Sequence, residues 1–400
     1  MSLNETVSAE RINIGFFGLR NAGKSSLVNA VTGQKLSIVS DIKGTTTDPV
    51  QKAMELLPLG PVSIIDTPGF DDEGTLGEMR VEKTVACLRK TDIAVLVADA
   101  TAGITETDKK LLSLFQERNT PFIIAYNKAD LLSERNALKE NELYVSAKTG
   151  ENVWKLKELL GKFITPKNKQ KMIAADLVER GDTVVLVMPI DESAPKGRLI
   201  LPQQQTLREL LDIHCAVVCC QPTELKNTLD NLIKKPKLVI TDSQVFETVS
   251  KTVDESIPLT SFSILFARYK GTLEILVHGA TALSELKNGD KVLISEGCTH
   301  HRQCNDIGTV KLPMWIEKFT KANLEFNFTS GNDFPSDLKE YALIVHCGGC
   351  MLNEAEMNAR LSIARNANVP IVNYGVAIAH MHGILERSLK ALKFSLPVYQ

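Results

Sequence analysis

From residue 11 onward, short and almost wholly apolar runs alternate with longer segments whose apolar residues recur every three or four positions. The short runs predict strands buried on both faces, and the longer ones predict amphipathic helices. Strands are expected at "INIGFF" (12–17), "VSIID" (62–66), "DIAVLVAD" (92–99), "PFIIAYN" (121–127) and "LYVS" (143–146), with helices at 77–89 and 105–117. Strands separated by helices imply right-handed crossovers and a mostly parallel sheet covered on both sides. Polar, lysine-rich "TPKNKQK" (165–171) reads as a linker. Beyond it come strand "DTVVLVMPI" (182–190), helix 204–213, strand "AVVCC" (216–220), helix 223–234, strand "KLVI" (237–240) and helix 242–252. A third series offers strands at 261–267, 273–277, 291–295, 341–345 and 369–373. The expected fold class is α/β throughout, with domains at 1–166, 172–260 and 261–400.

Composition narrows the setting. A chain of 400 residues exceeds one core. Its net charge of -2 supplies no basic field for a polyanion, so nucleic acid is not an expected partner. The start, "MSLNETVSAE", lacks the basic and apolar regions of a secretory signal, and no apolar run nears the roughly 20 residues that span a bilayer. A soluble, cytoplasmic protein without a membrane partner is expected. In a reducing compartment, neighbouring cysteines suggest metal or catalysis before disulfides. Of the eight cysteines, Cys87, Cys215, Cys219 and Cys220 sit in apolar patterns and read as small packed hydrophobes. Cys298, Cys304, Cys347 and Cys350 remain.

Four motifs in the first domain carry chemistry. "GLRNAGKS" (18–25) fits G-x-x-x-x-G-K-[ST] between a strand and a helix, the context in which that loop cradles phosphates. Asn21, Ala22, Gly23, Lys24, Ser25 and Ser26 would line it, with Lys24 on the β- and γ-phosphates and Ser25 on Mg²⁺. In "IIDTPG" (64–69), Asp66 ends a buried strand beside the metal and Gly69 offers its N–H to the γ-phosphate. "KGTTTD" (43–48) is the segment expected to close on the metal, through Thr46 or alternatively Thr45. "NKAD" (127–130) selects the base: Asp130 accepts from guanine N1–H and the 2-amine, a donor pair that adenine lacks. Asn127 and Lys128 flank it, Lys128 covering the base plane. "SAK" (146–148), which is Ser146, Ala147 and Lys148, puts an N–H on guanine O6. The first domain is therefore expected to be a P-loop GTPase domain binding GTP and GDP with Mg²⁺; Lys24, Thr46, Asp66 and Gly69 are its catalytic candidates.

"NAGKSSLVNA" (21–30) and "GTTTDP" (44–49) resemble the Era and MnmE branch of translation-factor-like GTPases. That resemblance implies that Asn21 coordinates K⁺, which does the charge-neutralising work of an arginine finger. Phe70 stands where a Ras-like enzyme carries its water-orienting glutamine, implying slow, potassium-dependent hydrolysis.

A second constellation lies far downstream. "GCTHHRQCND" (297–306) and "HCGGC" (346–350) each follow a strand candidate, at the sheet edge where α/β proteins bind ligands. Loops from neighbouring strands can bring Cys298 to Cys347 and Cys350, with the glycine pair letting the backbone turn and its amides approach sulfur. Three thiolates suit structural zinc completed by His300 or His346, a redox pair, or an iron–sulfur cluster with one open iron. Spacing alone leaves these alternatives open.

Cys298-Thr-His300 and His346-Cys347-Gly-Gly-Cys350, behind a potassium-type GTPase domain, resemble the HydF family of FeFe-hydrogenase maturation GTPases across the whole chain. The resemblance implies a GTPase domain, a dimerisation domain and a domain whose three cysteines bind a 4Fe-4S cluster. It further implies a scaffold for a transient diiron precursor, working with the radical-SAM maturases HydE and HydG and the hydrogenase HydA. His300 or His346 would hold the fourth iron or tune the cluster, and Cys304 would stand by. The competing expectation is a potassium-activated GTPase with a structural zinc domain acting in RNA modification or ribosome assembly. His214 and His278 read as histidines beside apolar strands, and Trp315 as packing. His380 and His382, two apart, point in different directions on a helix. A homodimer is expected, its middle-segment strands pairing across a two-fold axis.

Overall fold

A computed structural model describes residues 11–33, 50–57, 59–67, 69, 83–164, 171–190, 199–297, 307–331, 333–335, 337–349 and 352–394. The chain divides into two compact units at Lys169/Gln170, with residues 353–359 grouped with the first. No helix among the described residues is long and apolar enough to cross a membrane.

The first unit contains β1 (Ile12–Phe17), α1 (Lys24–Thr32), β2 (Val50–Leu56), β3 (Gly60–Asp66), α2 (83–89), β4 (Ile93–Asp99), α3 (Glu106–Glu117), β5 (Phe122–Asn127), β6 (Glu142–Tyr144) and α4 (Val153–Ile164). Its sheet runs β2-β3-β1-β4-β5-β6, parallel except that β2 pairs antiparallel with β3. Central β1 and β4 are buried almost end to end because helices cover both faces. One core joins Phe16, Leu27, Val95 and Leu156; the other joins Phe17, Leu88, Leu96 and Phe115. A capping box starts α3: Asp108 N–H donates to Thr105 Oγ1 at 3.2 Å and Thr105 N–H returns to Asp108 Oδ2 at 3.0 Å. β2 was not expected, since its "VQKAMEL" leaves mostly polar residues exposed on a sheet edge.

The second unit begins with β7 (Thr183–Val187), α5 (Leu201–Asp212), β8 (Ala216–Cys220), α6 (Leu225–Asp230), β9 (Leu238–Thr241), α7 (Phe246–Thr252) and β10 (Leu259–Ser261), which build an all-parallel sheet in the order β10-β9-β7-β8. It continues with α8 (Phe262–Tyr269), α9 (Leu273–Thr281), β11 (Lys291–Glu296), α10 (Leu312–Thr320), β12 (Glu325–Ser330), β13 (Leu343–His346), α11 (Glu354–Asn366), β14 (Ile371–Asn373), α12 (Tyr374–Met381) and α13 (Leu385–Ala391). Its second sheet, also parallel, runs β12-β11-β13-β14. One continuous buried core serves both sheets, from Val184 and Val239 to Ile294 and Val372.

Two expected strands are helices. The runs 261–267 and 273–277 form α8 and α9, apolar on most sides because each is packed in the core. A short apolar run does not distinguish a buried strand from a buried helix. Ser261 settles the first case by accepting from Ile264 N–H at 3.3 Å as an N-cap. His278 consequently lies on a helix. β8 departs from expectation in burial: Cys215, just before it, is buried, but Cys219 is exposed and Cys220 half-buried, because β8 is an edge strand.

Candidate functional site

The candidate nucleotide site lies where β1, β3, β5 and the segment after β6 end on one edge of the first sheet. The loop after β1 turns through Gly18 (φ 140°), Asn21 (φ 62°) and Gly23 (φ 86°). A Cβ on Gly18 would stand 2.2 Å from Val97 O, and one on Gly23 2.3 Å from Asn127 Nδ2, so both positions require glycine. Gly23 caps α1 with no side-chain acceptor, which leaves the helix's first N–H groups to an anion. Lys24 is buried, its Nζ held by Gly18 O at 3.0 Å and Leu19 O at 2.8 Å. The ammonium therefore already lies in the loop that would wrap phosphate.

Ser25 Oγ donates to Asp66 Oδ2 at 2.8 Å. Asp66 is buried and its Oδ1 has no hydrogen-bond partner among the described residues. A buried carboxylate oxygen without a donor is costly unless a cation meets it, and with a serine hydroxyl beside it the pair fits Mg²⁺. Gly69 lies against the same loop, where an added Cβ would come within 3.1 Å of the Arg20 backbone. Asn21 is exposed, and Ser26 is half-buried on the first turn of α1. Thr45, Thr46 and Phe70 fall outside the described residues.

Asn127 fastens the site together. Its buried side chain donates to Ala22 O at 3.0 Å and accepts from Ala147 N–H at 3.0 Å, joining the phosphate loop to the base loop. Asp130 is exposed rather than buried, and its Oδ1 accepts from Ser146 Oγ at 2.6 Å. Lys128, at φ 66°, pairs with Asp99 at 2.6 Å. Burial works against the charge of Asp99, but hydrogen bonds from Lys128 and Thr101 bring its carboxyl below the usual value. Lys148 is exposed. Sequence reasoning missed Arg135, which bonds Ala129 O at 3.1 Å and pairs with Glu151 at 2.5 Å, bracing both base loops; a lone arginine in a polar stretch carries no pattern.

The second site lies at the ends of β11 and β13, neighbours in register from Val292↔Leu343 to Ser295↔His346. Gly297 N–H donates to Cys347 Sγ at 3.0 Å, and Gly349 N–H reaches the same sulfur at 3.4 Å. A sulfur receiving two backbone amides, one from each loop, suits a thiolate bound to a soft metal. Cys298, His300, Cys304 and Cys350 lie outside the described residues. Among the described residues, no group of three or more His, Cys, Asp or Glu side chains could hold a metal ion.

His346 departs from its expected role. It is fully buried; Arg360 Nη1, a donor only, bonds its Nε2 at 3.0 Å, so Nδ1 carries the hydrogen and donates to Cys347 O at 2.7 Å. Both ring nitrogens are committed, and no lone pair remains for iron. Burial and the Arg360 charge push its pKa down to about 3. Arg360 is itself fully buried against the Phe334 ring, 5.0 Å from its centroid. His380 and His382 meet different partners: His380 Nε2 lies 3.3 Å from Ser284 Oγ, and His382 Nδ1 3.6 Å from Glu247. Trp315 is partly buried against the core.

Comparison with known proteins separates the chain's parts. Residues 13–128 match the 50S ribosome-binding GTPase family, 173–271 the hydrogen maturase F dimerization domain, and 274–391 the hydrogen maturase F tetramerization domain. GTPase Der of Maridesulfovibrio salexigens is 43% identical over 143 residues, which is 34% of this chain and 31% of that protein. GTPase Der of Clostridium botulinum is 35% identical over 167 residues, 37% of this chain and 38% of that protein. The chain thus spans about a third of the length of these curated relatives. Among solved structures, Aquifex aeolicus Era bound to GDP·AlF4⁻ is 20% identical over 52% of this chain and 92% of that one, at a TM-score of 0.35. The G domain of the T. maritima FeoB iron transporter is 23% identical over 38% and 99%, at 0.30. At those TM-scores the two likenesses support nothing further. The two hydrogen maturase F models together span more than half of the chain, directly behind a GTPase domain, and the chain therefore belongs to the HydF family of hydrogenase maturation GTPases.

Proposed function

We propose that this protein hydrolyses GTP and serves as a scaffold for the diiron precursor of FeFe-hydrogenase, holding a 4Fe-4S cluster through Cys298, Cys347 and Cys350. The observation that carries the metal half of this reading is the shared sulfur: Cys347 Sγ takes amides from both loops that carry the cysteines. Its chemistry is that of an open cluster, in which three thiolates leave one iron for an exogenous ligand.

At the other site, Lys24 would exchange the carbonyls of Gly18 and Leu19 for phosphate oxygens, while Ser25 and Asp66 turn toward Mg²⁺ with Thr46. Asp130 would accept from guanine, with Ala147 N–H on its O6. Mg²⁺, and K⁺ at Asn21, would supply the positive charge that stabilises the phosphoryl transition state. We assign the protein to the cytoplasm as a homodimer, with HydE, HydG and HydA as partners.

The test pairs two variants. Lys24→Ala should abolish GTP hydrolysis while the anaerobically reconstituted protein keeps its iron and brown colour. Cys347→Ser should lose iron and keep GTP turnover. Wild-type protein that stays colourless and binds zinc instead of iron would overturn the cluster half of the reading.

A further inference from the structure

Lys270 follows the last turn of α8, within the segment matched by the dimerization model, yet its ammonium reaches into the cysteine loop. Nζ donates to Gly349 O and, at 3.4 Å, to Leu352 O. Leu352 N–H also donates to Gly349 O at 3.1 Å, so that carbonyl receives both Lys270 and Leu352. Gly349 is buried at φ 60°, a backbone state that glycine adopts without strain, and its own N–H is one of the two on Cys347 Sγ. One residue is therefore gripped by an ammonium through its carbonyl and grips the cysteine sulfur through its amide.

Fixing a lysine side chain costs it rotamer freedom, so holding two carbonyls at once is not its default state. The other side of the loop is held by Arg360 acting through His346 on Cys347 O.

We propose that Lys270 is the positioning residue of the cysteine loop, holding Gly349 so that Cys347 presents its sulfur, and tying that geometry to the segment that matches the dimerization domain. The metal in this inference rests on the cluster reading above; the loop geometry does not. A fixed cation on the loop favours whichever cluster state carries more negative charge, so removing it lowers the reduction potential.

Lys270→Met and Lys270→Arg in the full-length chain test this. Residues that hold a metal ligand from behind typically contribute 10–100-fold to metal affinity, so reconstituted Lys270→Met should lose iron to a chelator about tenfold more readily. Its cluster midpoint potential, followed by electron paramagnetic resonance, should become more negative. In metal-free protein, the limiting rate at which iodoacetamide alkylates Cys347 at high pH, where the thiol is fully ionised, should rise, as read by fragment mass spectrometry. Lys270→Arg should restore all three. Lys270→Met indistinguishable from wild type overturns the proposal, as does Lys270→Arg failing alongside it. If wild-type protein holds no iron, the cluster reading falls by itself and alkylation decides for Lys270: faster in Lys270→Met supports it, equal rates overturn it.

Discussion

Cys87 illustrates how a residue without a role in the chemistry still sets a measurable property. Burial in the α2 side of the first core pushes its thiol up to about 11. The folded chain keeps that proton where an unfolded chain releases it near pH 9, so this stability is full below about pH 9 and is lost as pH rises toward 11. A shift of two units corresponds to a loss of up to about 2.7 kcal/mol. Denaturant titrations of wild type and Cys87→Ala from pH 8 to 11 should show the steeper decline in wild type; parallel curves would rule the coupling out. At this scale the candidate nucleotide residues could be named, because a phosphate loop and a guanine motif are local patterns. Asp66 and Ser25 could be named from their motifs, but their pairing across 41 residues could not. Lys270 and Arg360 were illegible for a related reason: each acts on a backbone carbonyl or a ring contributed by another segment. Arg135 acts nearer, on Ala129 O six residues before it, and no motif marks it.

Elements were legible wherever one face differed from another or both were apolar over a strand's length. The central strands β1, β4 and β5 follow from continuous apolar runs. Edge strands β2 and β12 escaped because a half-exposed strand carries polar residues, as "EFNFTS" does. α8 and α9 escaped for the opposite reason: a helix buried on most sides loses its 3.6-residue signature. α9 lies so close to β14 that a Cβ on Gly279 would fall 1.9 Å from Ile371 O. Helix propensity favours alanine over glycine by about 1 kcal/mol, but overpacking against a rigid strand costs about 1–3 kcal/mol or more. Gly279→Ala should therefore lose about 2 kcal/mol in urea denaturation; a stabilised variant would mean that α9 stands off the strand.

For the whole molecule, the informative facts are the single core beneath both sheets of the second unit and the two family models laid over it. Those models describe a dimerization and a tetramerization domain, so the chain carries oligomerisation domains of both kinds. β8, the edge strand with exposed Cys219, leaves one side of its sheet without a strand neighbour among the described residues. The full-length protein should sediment as a dimer or larger species at micromolar concentration. A monomer would remove the homodimer from the proposed function.

By itself the sequence determined the nucleotide chemistry, the α/β class and the pairing of a GTPase domain with a cysteine-bearing tail, because each is written in local spacing and in the period of apolar residues. Tertiary structure alone decided which histidine nitrogens are already spent, that Cys347 takes amides from two loops, and that a lysine about eighty residues upstream holds the cysteine turn. Most of those bonds have a backbone atom as one partner, which every residue carries alike, so folding rather than residue type chooses where they form.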